Sequence, residues 1–210
     1  MLRRHSKTIC FLLGFLLLLF VTGRIVYVNG TAYRFKETVY PMEEWIPLDG
    51  DFFYTSNEDT DGYFVRVSDA EILPYEAFMQ KFGFSPDYLA ADSQKDVVLV
   101  RVDFKNVDNT SGGVFIRDYT ILNASLSAYY AKSDLYMQLA NPGFDTSSEG
   151  ITVLPGTEAS LNLVYTTVAR ADGVTFLEEH AGQDPIVMYL NISLYPTRKM
   201  VELRLDASKL

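Results

Sequence analysis

The feature that most restricts this chain is at its start. Arg3, Arg4 and Lys7 precede an almost wholly apolar run over residues 9–21, and no further charge occurs until Arg24. A basic n-region followed by an apolar h-region is the pattern that export machinery reads, so the chain is expected to leave the cytoplasm. Residues 9–28 are long enough at about 1.5 Å per residue to cross a bilayer core of ~30 Å, provided that Arg24 snorkels to the outer interface. Residues 1–28 therefore read as a signal anchor, with cleavage as a signal peptide near Val21-Thr22-Gly23 as the alternative. Basic residues before the run place the N-terminus in the cytoplasm and the rest of the chain outside the cell membrane, or in the medium if the signal is cleaved.

Beyond this segment 14 basic residues face 27 acidic ones, a net of about −13. A surface of that sign repels nucleic acid and anionic lipid, so neither is expected as a partner, and the membrane is met through the N-terminal helix. Cys10, the single cysteine, begins the apolar run and cannot form an intramolecular disulfide, so the body must be held by its core. It does not stand where a lipoprotein cysteine would.

Residues 29–62 contain many turn formers, including Pro41, Pro47, Asp49-Gly50 and Asp61-Gly62, and read as a juxtamembrane arm. Trp45, Ile46, Phe52, Phe53 and Tyr54 are too apolar for a free linker. Trp45 in particular must find a surface, expected to be its own domain, with a partner as the alternative.

Residues 63–210 carry the body. Residues 97–105 are the clearest strand, with Val98, Val100, Val102 and Phe104 on one face and Arg101, Asp103 and Lys105 on the other. Residues 63–73, 114–122, 125–130, 135–139, 159–168, 186–195 and 199–205 are further strand candidates. Between the first two, Tyr75, Phe78, Met79 and Phe82 recur at helical spacing after Pro74 and before Gly83, predicting one short helix. Short strands with frequent turns predict an all-β, immunoglobulin-like antiparallel β-sandwich, with a barrel as the main alternative.

The basic start, apolar anchor and acidic arm, the strand Val97-Val98-Leu99-Val100-Arg101-Val102-Asp103-Phe104-Lys105-Asn106, the turn Leu154-Pro155-Gly156 and the strand Leu161-Asn162-Leu163-Val164-Tyr165 together resemble uncharacterised exported immunoglobulin-like domains of Gram-positive bacteria. That resemblance covers about residues 63–206. It implies a sandwich fold and a cell-surface address, and it carries over no catalytic residue, because such families are domains of unknown function.

Candidate chemistry is sparse. Asn57, Asp59 and Asp61, followed by Gly62, match the opening of a calcium loop, but the twelfth position is Ser68 where a bidentate carboxylate is needed. An acidic turn before a strand gives the same letters, and no metal or other cofactor is expected. Asp145-Thr146-Ser147 departs from the aspartic protease triplet in its third residue. His180 is the only histidine of the body and reads as a loop residue. Glu43-Glu44 and Glu178-Glu179 supply carboxylates for an extracytoplasmic hydrolase, without a constellation that selects it. The sequons at Asn29, Asn109, Asn123 and Asn191 do not decide the source.

Adjacent strand residues point to opposite faces, so one ring of Tyr129-Tyr130 should lie on the less buried side, able to stack on sugar or anchor a protein. The expected function is a non-catalytic envelope module that binds a protein or a cell-wall component through Tyr129, Tyr130 or Trp45. A carboxylate-dependent hydrolase, and a sensor or immunity subunit of a membrane complex, are the alternatives.

Overall fold

The computed structural model describes residues 2–31, 36–54, 58–145 and 149–206, except the side chains of residues 2–10, 90 and 91. It divides into two compact units, residues 1–35 and 36–210. The first is the helix α1 (Leu2–Thr31), within which Phe11–Thr31 has a mean hydropathy of 2.3 over its most apolar stretch. That segment is long and apolar enough to be a membrane span or signal anchor.

The second unit is mostly β-sheet. Its strands are β1 (Lys36–Tyr40), β2 (Ile46–Pro47), β3 (Tyr63–Pro74), β4 (Asp96–Asn106), β5 (Val114–Phe115), β6 (Ile121–Asn123), β7 (Tyr129–Tyr130), β8 (Gly150–Ile151), β9 (Thr157–Thr166), β10 (Ile186–Ser193) and β11 (Thr197–Leu205). Three short helices interrupt them: α2 (Tyr75–Lys81), α3 (Asp134–Ala140) and α4 (Phe176–Glu179). A 3-10 segment covers Pro86–Asp92.

The strands form open sheets and not a barrel. A four-stranded antiparallel sheet runs β2-β3-β4-β9, and a five-stranded sheet runs β1-β11-β10-β6-β7, antiparallel except for the parallel pair of β1 and β11. β5 and β8 make a separate two-residue ladder. Val65, Val67, Val100, Val102 and Leu163 of the first sheet join Ile121, Met188, Leu190, Val201 and Leu203 of the second in one continuous core. Each such fully buried side chain contributes about 1.5–3 kcal/mol relative to exposure.

The structure departs from the sequence expectations in several elements. Residues 135–139, expected as a strand, belong to helix α3, which packs on β9; Asn141 at its end donates from Nδ2 to the Asn162 carbonyl and accepts from Asn162 N, both at 2.8 Å. An amide side chain thus covers the edge of β9 as a strand would. Residues 125–130 and 114–122 are strands only over their ends, β7, β5 and β6. The single expected helix, α2, is accompanied by α3 and α4. Within residues 29–62, whose apolar side chains were expected to pack on the domain or on a partner, residues 36–54 lie in the compact unit: β1 pairs with β11, β2 pairs with β3, and Ile46, Leu48 and Phe53 are buried.

Candidate binding surface

The β6–β7 hairpin forms one edge of the five-stranded sheet, with residues 124–129 exposed. Asn123 organises it: its Oδ1 accepts from Ser127 N at 2.9 Å and Ala128 N at 3.1 Å, and its backbone bonds to Ala128 and Leu126 close the turn. A short polar side chain bonding its own turn is the usual way such a loop is held. Leu126 then takes φ 55°, a left-handed conformation that costs a branched residue and that Gly or Asn would adopt freely.

Tyr129 follows at 72 % exposure. Tyr130 points the other way, half-buried, with its ring edge-on to Phe176 at a centroid distance of 6.1 Å. Burial, followed by the charge of Glu179, pushes the Tyr130 phenol above its ordinary value. The tyrosine pair therefore splits across the strand as its spacing requires, one ring outward and one into a wall.

That wall is α4. Thr175 and Glu178 form a reciprocal capping box at its start, Thr175 Oγ1 accepting from Glu178 N and Glu178 Oε2 from Thr175 N. His180 ends it: Nδ1 donates to the Phe176 carbonyl at 2.8 Å, and the imidazole stacks on the Phe176 ring at 4.0 Å. Asp96, at the start of β4, accepts from Leu177 N at 2.7 Å and so fastens α4 to the four-stranded sheet. Burial raises the Asp96 carboxyl above its ordinary value, against the opposing hydrogen bonds. Between α4 and the hairpin lies a cleft of about 400 Å³, lined by Asn123 and Ser125 on one side, Phe176, His180 and Gln183 on the other, and β10 from Ile186 to Met188. Among the described residues that line it there is no carboxylate.

Trp45 lies elsewhere, on the face of the four-stranded sheet. The Arg66 guanidinium sits 4.3 Å and the Lys105 ammonium 5.7 Å from its ring centroid. Arg66 also pairs with Asp103, its neighbour across β3 and β4, at 2.8 Å, and Ser160 donates to Asp103 from the far side at 2.6 Å. The indole thus rests on its own domain, within a row of charges crossing the sheet.

The acidic loop is occupied by its own contacts. Asp59 Oδ2 accepts from Ser111 Oγ at 2.9 Å, the Asp61 carbonyl accepts from Asn109 Nδ2 at 2.8 Å, and Asn57 lies outside the described residues. No group of three metal-ligating side chains occurs among the described residues. Thr146 and Ser147 also lie outside the described residues. Of the expected site residues, Tyr129 and Tyr130 share one hairpin but present their rings on opposite faces of it, while Trp45 and the acidic loop lie elsewhere. Leu126, Phe176 and Asp96 were not singled out from sequence, and Asn123 only as a sequon. Only Phe176 to His180 carried a local signal, the Thr175-to-Glu178 capping spacing.

Open antiparallel sheets with short crossing helices and a side cleft, together with an N-terminal apolar helix, define a β-rich domain with a possible membrane anchor. The particular family follows from sequence: a family described as a domain of unknown function (DUF5028) matches residues 37–199, and the chain belongs to it. Neither a curated protein nor a solved structure matches the chain.

Proposed function

We propose that the chain is a non-catalytic interaction module of a Gram-positive cell envelope, an immunoglobulin-like sandwich held outside the membrane by α1 with its N-terminus inside. Arg3, Arg4 and Lys7 before the apolar run support that orientation. Two sheets of four and five strands sharing one core support the sandwich. The observation that carries the binding role is Tyr129, an aromatic ring 72 % exposed on a hairpin fixed by Asn123 and turned away from Tyr130, whose ring meets Phe176. Rigid aromatic side chains offer large contact area at small entropic cost, which suits a protein or cell-wall partner. The carboxylate-hydrolase reading has Asp96 and Glu178 at the α4 wall, and both carboxylates accept backbone N–H bonds that hold α4.

The test is in-cell photo-crosslinking from position 129 in the full chain, compared with a Tyr129→Ala variant in a pull-down from solubilised envelopes. A partner that crosslinks at 129 and is lost from the variant supports the reading. Full retention of every partner by the variant removes Tyr129 from the site. Protease shaving of whole cells tests the topology, since an external body is cleaved and a cytoplasmic one is protected.

A further inference from the structure

We draw no further inference here: the strongest candidate, the face of the five-stranded sheet turned away from the core, where Tyr129 of β7, Leu122 of β6 and Tyr189 of β10 stand in one cross-strand row, is an unpartnered face, and nothing in the structure shows what covers it.

Discussion

Lys199 in β11 and Asp51 in the loop before β3 form a buried ion pair, Nζ to Oδ2 at 2.7 Å, both side chains about 5 % exposed. The ammonium also donates to the carbonyls of Pro47 at 2.6 Å and Leu48 at 3.0 Å, and Asp51 Oδ1 accepts from Thr197 N at 3.1 Å. The segment between β2 and β3 is thereby locked to the last strand. Removing Asp51 takes away the buried counter-charge and leaves Lys199 only the exposed Asp49 at 3.6 Å, so Asp51→Ala should cost up to about 3–5 kcal/mol. Replacing both with apolar residues, Asp51→Leu with Lys199→Met, should recover much of that loss. Urea unfolding of the single and double variants measures it, and a double variant no better than the single would show that the carbonyl cage matters more than the pair.

Truncation gives a second expectation. Residues 29–62 contain β1, β2 and the buried Ile46, Leu48 and Phe53, so a chain lacking them loses an edge strand from each sheet and three core side chains. At about 2–5 kcal/mol for each large core side chain removed, the remainder should not fold. Near-native circular dichroism with a sharp thermal transition in the truncated chain would contradict this.

Trp45→Ala removes the ring between Arg66 and Lys105. Half-exposed cation–π contacts of this kind are worth about 0.5–2 kcal/mol, so a loss of stability in that range is expected without loss of partners. Parallel chemical denaturation and pull-down assays separate the two outcomes, and partner loss at unchanged stability would return Trp45 to the binding surface.

Two aspartates set opposite acid behaviour. Burial tends to raise the Asp103 carboxyl, but hydrogen bonds from Ser160, Arg66 and Ser68, with the Arg66 charge, bring it below its ordinary value of 3.8. Its stabilisation is present above 3.8 and lost as pH falls through the lower folded value. Asp96 is raised, so the folded state binds its proton more tightly, and stability falls as pH rises from 3.8 through the raised value. Asp103→Asn should flatten the stability curve below 3.8, and Asp96→Asn should flatten it just above. Stability–pH curves in which neither slope changes would refute the assignments.

Gly112 sits where a Cβ would come within 1.8 Å of the Asp59 carbonyl oxygen. Gly112→Ala must push the acidic loop away from residues 109–113, at a cost of about 1–3 kcal/mol. Melts of the wild type with calcium and with chelator should coincide, since Asp59 is engaged by Ser111. A rise of several degrees in calcium would mean that the loop opens to take the ion.

Local pattern alone was enough for some of this. The apolar residues 9–28 form part of one long helix, β3 and β4 follow from alternation, and α2 from the spacing of Tyr75, Phe78 and Met79 between Pro74 and Gly83, because period and punctuation are properties of adjacent residues. Tyr129 pointing out and Tyr130 pointing in also follows from the geometry of a strand.

What required the tertiary structure involves partners distant in sequence. Leu135, Met137 and Leu139 alternate like a strand, but Tyr136 and Ala140 are apolar too. Packing on β9, with Asn141 capping its edge, decided for a helix. Lys36–Tyr40 is too polar and short to announce a strand, and it becomes one by parallel pairing with β11, some 160 residues later. The cleft arises because Asp96 holds α4 opposite a hairpin whose shape Asn123 imposes. No spacing in the sequence encodes that encounter, since it depends on where three separate segments end once the core has closed.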